Sequence, residues 1–131
     1  MTDEYEPRFE GRRILVVEDE YVIAMEIAAV LGDYGAEIVG PVGSVDQALE
    51  LIAYERPIDA ALLDVNLSGE RVFPVADALA NRGVPYLFST GYDATILGDY
   101  RVSARVEKPA DPVWIASELK RLIDDVEARS A

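Results

Sequence analysis

The sequence predicts an α/β fold in which a five-stranded parallel sheet is doubly wound, so that helices cover both of its faces. Two observations predict it. Short apolar runs rich in β-branched residues alternate with segments whose apolar residues recur at helical spacing. The connections between them are short, and such alternation gives right-handed crossovers and parallel strands. The length of 131 residues, half of them hydrophobic, suits one domain of this size.

The first half of the chain predicts the order strand, helix, strand, helix. Residues 14–17 form an apolar run that is β-branched at three of its four positions, and residues 21–31 are long and apolar enough for a helix. Residues 36–40 predict the second strand. Ser44, with Gln47 three residues later, predicts a capping box at the start of the second helix.

The second half of the chain adds three strands and three helical segments. The predicted strands are residues 58–63, 84–88 and 101–106. The helix pattern after the first of these contains Pro74, which a helix tolerates only in its first turn. Residues 93–97 leave room for only a shortened fourth helix. Asp111 followed by Pro112 predicts the N-cap and the first residue of the last helix.

The composition excludes several classes of function. Twelve Lys and Arg against 25 Asp and Glu give a net charge of −13, so nucleic acids and anionic membrane surfaces would be repelled. Without Cys or His, the chain has no thiolate nucleophile and no imidazole base. No apolar stretch approaches the roughly 20 residues that span a bilayer, so we expect a cytoplasmic protein. We expect residues 1–10 to be a disordered acidic tail.

Polar side chains follow four of the five predicted strands, namely Glu18 and Asp19, then Asp64, Thr90 and Lys108. The carboxyl ends of parallel strands meet at one edge of a sheet, so these groups should converge. Three carboxylates in one crevice repel one another unless a hard divalent cation neutralises them, which predicts Mg²⁺. Such a site would let a carboxylate attack a phosphoryl donor, and Asp64 is the predicted nucleophile. Thr90 and Lys108 are predicted to hold the phosphoryl oxygens.

These residues resemble the phosphorylation site of receiver domains in two-component response regulators. The resemblance rests on the acidic pair, on Asp64 in the run Leu-Leu-Asp-Val-Asn, on Thr90, and on Lys108 followed by Pro109. It implies a flavodoxin-like fold with receiver topology over residues 11–131. It also implies that Asp64 accepts a phosphoryl group contacted by Thr90 and Lys108, and that Mg²⁺ is held by Glu18, Asp19, Asp64 and the main-chain carbonyl of Asn66.

The resemblance further implies how such a chain would act. A histidine kinase or a histidine phosphotransfer protein would supply the phosphoryl group, and a downstream protein partner would sense it. The chain would not be an enzyme beyond self-limited phosphotransfer and autodephosphorylation. Residues 88–92 are similar to a Phe-Ala-Thr-Gly-Tyr motif found in stand-alone alphaproteobacterial receivers. The bond between Lys108 and Pro109 is often cis in this family.

Four features depart from the family pattern. Arg105 stands where many receivers carry an aromatic side chain that moves with the threonine, and Ala110 stands where many have Phe. The loop after Asp64 and the segment between Thr90 and Lys108 are also short. These departures keep an alternative function open, in which the chain is an adaptor module that binds partners independently of phosphorylation.

Overall fold

Strands and helices alternate along the computed structural model, which describes residues 7–54, 57–91, 94–100 and 103–130. In chain order the elements are β1 (Arg13–Val17), α1 (Tyr21–Asp33), β2 (Glu37–Val42), α2 (Val45–Tyr54), β3 (Ala60–Asp64), β4 (Asn66–Leu67), β5 (Glu70–Arg71), α3 (Phe73–Asn81), β6 (Tyr86–Thr90), a 3-10 helix (Ala94–Tyr100), β7 (Arg105–Glu107) and α4 (Pro112–Ser130).

Five of the strands form one sheet in the order β2-β1-β3-β6-β7, and all of its neighbouring strands are parallel. The central strand β3 lies between β1 and β6, with Leu63 opposite Val17 on one side and Asp64 opposite Ser89 on the other. The carboxyl ends of these strands therefore lie side by side. The predicted parallel sheet is confirmed.

The sheet separates two apolar layers. Along β1, Leu15 and Val17 pack into one layer with α2 and α3, whereas Ile14 and Val16 pack into the other with α1 and α4. This alternation follows from the two-residue period of a strand, and both faces are buried because helices cover both. The predicted double winding is confirmed.

Side-chain caps begin two of the helices as predicted. The Ser44 hydroxyl accepts the amide of Gln47 at 3.1 Å, and the Gln47 side chain accepts the amide of Gly43, one residue before the position of a standard capping box. The Asp111 carboxylate accepts the amide of Val113 at 2.8 Å. Within the described residues, no helix has both the length and the apolar character needed to cross a membrane.

Several boundaries differ from those predicted from the sequence. The last strand is Arg105–Glu107, whereas the sequence predicted residues 101–106; residues 101–102 lie outside the described residues. The shortened fourth helix is confirmed as a 3-10 helix that is interrupted at Gly98. Pro74 lies in the first turn of α3, as predicted.

A small hairpin follows β3, where the sequence predicted a loop. Strands β4 and β5 pair antiparallel, and the two residues that join them, Ser68 and Gly69, have positive φ angles of 54° and 94°. Two-residue hairpin turns of this kind require positive φ at both positions. The pair Ser-Gly lacks the Asn or Asp that usually marks such a turn, so the sequence predicted a loop at these residues and not a hairpin.

The expected disordered tail of residues 1–10 is wrong for residues 7–10. Phe9 is fully buried among side chains of the α1 and α4 layer, and its amide bonds the Tyr34 carbonyl at 2.9 Å. The amide of Gly11 bonds the carbonyl of Gly35 at 2.8 Å. Charged residues surround Phe9 in the sequence, so the composition of this segment did not predict that the ring is buried. Residues 1–6 lie outside the described residues.

Candidate functional site

All five side chains predicted from the strand ends lie at the carboxyl edge of the sheet. Glu18 and Asp19 follow β1, Asp64 ends β3, Thr90 ends β6, and Lys108 follows β7. The amide of Lys108 bonds the carbonyl of Thr90 at 2.8 Å, which continues the pairing of the last two strands. Strand order thus brings together residues that are up to 90 positions apart in the chain.

Asp64 is 5% exposed, and donors approach both of its oxygens. The ammonium of Lys108 lies 3.1 Å from Oδ2, and the amide of Asn66 donates to Oδ1 at 3.2 Å. Burial is the largest influence on this carboxyl, followed by a hydrogen bond and charge repulsion with Glu18. Together they raise the pKa of Asp64 from 3.8 to about 7, although Lys108 lowers it. The site therefore disfavours the negative charge that a nucleophilic carboxylate needs.

Lys108 forms ion pairs with three acidic side chains. Its Nζ lies 3.1 Å from Glu18 Oε1, 3.1 Å from Asp64 Oδ2 and 3.8 Å from Glu20 Oε1. Burial disfavours the charged form, but the attraction of Asp64 and Glu18 outweighs it and raises the pKa of Lys108. The ammonium therefore stays charged beside the predicted nucleophile. The peptide bond to Pro109 is cis, as the family resemblance implies.

Glu18, Asp19 and Asp64 each offer a carboxylate oxygen, and these oxygens lie within 4.8 Å of one another. Oxygen ligands that are close together suit a small hard cation such as Mg²⁺. The Glu18 carboxylate also accepts the amide of Glu20 at 3.1 Å, which holds it in place. The cluster therefore has the donor chemistry that the sequence predicted for a cation site.

Thr90 carries an unusual hydroxyl. The residue is 2% exposed, and its Oγ1 has no hydrogen-bond partner among the described residues. A buried hydroxyl without a partner costs about 1–3 kcal/mol, so such groups need an explanation. A donor that lacks an acceptor at the end of β6 fits a site that would receive phosphoryl oxygens.

Ser68 borders the site, although the sequence predicted no role for it. Its Oγ donates to Asp19 Oδ2 at 2.5 Å, from a position 49 residues further along the chain. The hairpin that carries Ser68 has no run of apolar residues in the sequence. The sequence therefore did not predict the contact between Ser68 and Asp19.

An apolar groove of about 390 Å³ lies beside Lys108, between α1 and α4. Its lining includes Ile23, Ile27 and Ile115. The same two helices expose several large hydrophobic side chains, namely Tyr21 (75% exposed), Val22 (68%), Met25, Val113 and Trp114 (48%). Both helices that border the groove thus carry exposed apolar side chains.

Comparisons with known proteins agree on one family, although no family model matches the chain. The sensory transduction protein LytT of Bacillus subtilis is 32% identical over 114 residues, covering 83% of this chain and 47% of that protein. The solution structure of SdrG from Sphingomonas melonis Fr1 is 37% identical, with a TM-score of 0.74 and coverage of 88% of this chain and 98% of SdrG. The crystal structure of the response regulator PhyR from Brucella abortus is 28% identical, with a TM-score of 0.81, and covers 94% of this chain and 52% of PhyR.

The chain spans between 35% and 47% of the length of the curated relatives it matches. Solved receiver proteins of other response regulators share its fold. The sheet order, the acidic cluster and these similarities all lead to the same conclusion. The chain belongs to the family of response regulator receiver domains of two-component signalling.

Proposed function

We propose that this chain is a phosphoacceptor receiver, in which Asp64 takes a phosphoryl group from a phosphohistidine on a partner protein. The chain has no His, so a histidine donor lies outside these 131 residues. The observation that carries the proposal is the contact of Lys108 Nζ with both Asp64 and Glu18 at 3.1 Å, beside the acidic cluster. The proposed nucleophile, the lysine ammonium and the proposed metal ligands thus lie at one edge of the sheet.

The side chains at this edge fit Mg²⁺. The proposed ligands are carboxylate oxygens of Glu18, Asp19 and Asp64 and the main-chain carbonyl of Asn66. The first three lie within 4.8 Å of one another, and Asn66 follows the nucleophile by two residues. When bound, Mg²⁺ would neutralise charge on the phosphoryl oxygens and on the carboxylates.

In the proposed transfer, a carboxylate oxygen of Asp64 forms a bond to phosphorus while the bond from phosphorus to the imidazole nitrogen breaks. The imidazole keeps that electron pair and takes a proton from solvent. Lys108 already donates to Asp64 Oδ2 and is placed to donate to a phosphoryl oxygen instead. The buried Thr90 hydroxyl would gain its missing acceptor.

The resulting acyl phosphate adds charge at the mouth of the sheet. By analogy with phosphoserine the acyl phosphate carries about −1.5 to −2 in place of the −1 of the attacking carboxylate, and we expect this change to draw in Thr90 and Lys108 and to alter the loops that follow them. Such a change would alter which partner binds. Attack by an in-line water on phosphorus would release inorganic phosphate and return the carboxylate, so a slow autodephosphorylation belongs to the proposal.

Phosphorylation by a small donor tests the proposal directly. The full chain is incubated with acetyl phosphate and Mg²⁺, and its intact mass is measured. We expect the mass of one phosphoryl group on the wild type, none on Asp64→Asn, and the wild-type gain on Asp33→Asn, whose exposed carboxyl ends α1. A wild type that gains no mass, or an Asp64→Asn variant that still gains it, would contradict phosphoacceptance at this residue.

A second candidate function is an adaptor that binds its partners without phosphorylation. The observation that favours it is Arg105, which lies exposed on β7 where many receivers carry the aromatic side chain of their switch. A pull-down that compares wild type with Asp64→Asn separates the two functions. An adaptor retains the same partners in both variants, whereas a phosphoacceptor loses those that sense the acyl phosphate.

A further inference from the structure

We propose that Ser68 is a positioning residue that orients the Asp19 carboxylate toward the cation. The proposal rests on the proposed function, because it assigns a role in the same metal site. The Ser68 hydroxyl donates to Asp19 Oδ2 at 2.5 Å. A carboxylate has lone pairs on both oxygens, so a donor on Oδ2 leaves Oδ1 available as a ligand.

Ser68 is held by a braced turn. The side chain of Asn66 accepts both the amide of Gly69 and the guanidinium of Arg71 at 3.0 Å, so it ties the two strands of the hairpin together. Leu67, next to Ser68, is 3% exposed and belongs to the core layer of α2 and α3. The hairpin therefore holds the Ser68 hydroxyl in a defined place.

The backbone of Asp19 is confined by a second neighbour. A Cβ atom at Gly43 would lie 3.3 Å from Asp19 Cα, which is tighter than most Cβ contacts, and 3.6 Å from Asp19 Cβ, which is an ordinary contact. The loop after β2 can approach Asp19 this closely because residue 43 is a glycine. Gly43 thus packs against the main chain of Asp19 while Ser68 bonds its carboxylate.

Asp19 needs such support more than the other two members of the cluster. Glu18 and Asp64 are buried and both contact the Lys108 ammonium at 3.1 Å, whereas Asp19 is only half-buried. A half-exposed carboxylate samples several rotamers, and fixing it on cation binding costs conformational entropy. A hydrogen bond that fixes it beforehand lowers that cost, as outer-shell partners of metal ligands do elsewhere.

The affinity for Mg²⁺ is the measurement that tests this role. Chelator-treated full-length chain is titrated with MgCl₂ in a calorimeter, and its unfolding midpoint in urea is measured without Mg²⁺. We expect Ser68→Ala to bind Mg²⁺ about tenfold more weakly, with an unchanged unfolding midpoint. The matched control is Ser117→Ala, whose hydroxyl bonds the Val113 carbonyl within α4, and which should bind Mg²⁺ as the wild type does.

A second variant separates the hydroxyl from the turn that carries it. Ser68 has a φ of 54°, which glycine adopts easily and alanine does not. A role of the hydroxyl predicts that Ser68→Gly and Ser68→Ala lose the same affinity. Wild-type affinity in Ser68→Gly, with a loss only in Ser68→Ala, would assign the effect to the backbone and overturn the proposal.

The wild type distinguishes the failure of this inference from failure of the proposed function. If the wild type binds Mg²⁺ and Ser68→Ala binds it equally well or more tightly, only the role of Ser68 is overturned. If the wild type does not bind Mg²⁺, the proposed metal site fails and the role of Ser68 fails with it.

Discussion

At the scale of single residues, the unphosphorylated site places one carboxyl group, that of Asp64, in surroundings that disfavour its negative charge. Asp64 is buried against Glu18, and its pKa is raised to about 7. The folded protein therefore favours the protonated carboxyl, whereas the unfolded chain ionises near pH 4. A carboxyl with a raised pKa contributes stability that is fully present below its unfolded pKa and is lost as pH rises through the folded pKa.

This dependence of stability on pH gives a prediction for Asp64→Asn, which mimics the protonated carboxyl. In the presence of a chelator we expect the variant to be more stable than the wild type by roughly 2–4 kcal/mol at pH 8.5, because there the wild type holds an unfavourable charge. The gain should shrink steadily toward pH 5.5. Urea unfolding at both pH values measures it, with Asp33→Asn as control. A gain that is the same at both pH values would contradict the raised pKa.

Thr90 gives a second prediction at this scale. Thr90→Val keeps the shape of the side chain and removes a buried hydroxyl that has no partner among the described residues. We expect the unphosphorylated protein to gain about 1 kcal/mol of stability, measured by urea unfolding, and to accept less phosphoryl group from acetyl phosphate. The control is Thr90→Ser, which retains the hydroxyl and should keep more of the phosphorylation. A Val variant that is markedly less stable would indicate a hydrogen bond that this geometry lacks.

At the scale of elements, the 3-10 helix is anchored by its last residue. The ring of Tyr100 stacks on Phe73 of α3 with centroids 4.4 Å apart, and meets Phe88 of β6 edge-on at 6.0 Å. Its hydroxyl donates to Asp77 at 2.6 Å, and that hydrogen bond raises the pKa of Tyr100 to about 12. The aromatic contacts of this segment thus come from Tyr100, while Arg105 on β7 is exposed.

Removal of this hydroxyl tests the anchor. We expect Tyr100→Phe to lose about 1 kcal/mol of stability at pH 7, because stacking is kept but the bond to Asp77 is not. Because the pKa of Tyr100 is raised, the hydrogen bond to Asp77 contributes its whole stabilisation below pH 10. That stabilisation is lost as pH rises through about 12. Urea unfolding measures the loss, with Tyr54→Phe as control because Tyr54 is 84% exposed. Equal stability of wild type and Tyr100→Phe would show that stacking alone holds the segment.

At the scale of the whole molecule, the site and the apolar groove lie side by side. Lys108 lines both of them, and α1 and α4, which border the groove, also carry exposed apolar side chains. The net charge of −13 repels polyanions, but it does not oppose a protein partner that docks through apolar contacts. A protein donor could therefore bind here and present its phosphohistidine to Asp64.

Two kinds of phosphoryl donor distinguish docking from chemistry. We expect Trp114→Ala to slow transfer from a histidine-phosphorylated donor protein by about tenfold or more, because large aromatic anchors dominate such interfaces. Its rate with acetyl phosphate should equal that of the wild type. Tyr54→Ala, on the opposite side of the sheet, is the control for loss of an exposed aromatic ring. Equal slowing with both donors would assign Trp114 to the site itself and not to docking.

The sequence by itself determined the sheet and the residues at its edge. Apolar runs and helical spacing are local consequences of burial, so they predicted the five parallel strands and the helices on both faces. The residues that directly follow those runs, such as Asp64 and Lys108, could be placed at one edge because parallel strands share their direction. The caps at Ser44 and Asp111 were predictable for the same reason, since a cap is formed by residues close together in the chain.

Only the tertiary structure decided the contacts that join distant segments. The hairpin that carries Ser68 has no apolar pattern, and its bond to Asp19 spans 49 residues. The burial of Phe9 depends on packing against residues of α1, α4 and the sheet that are distant from it in the chain. Local sequence patterns indicate which side chains are buried. The partner of a polar side chain, in contrast, depends on how the whole chain packs.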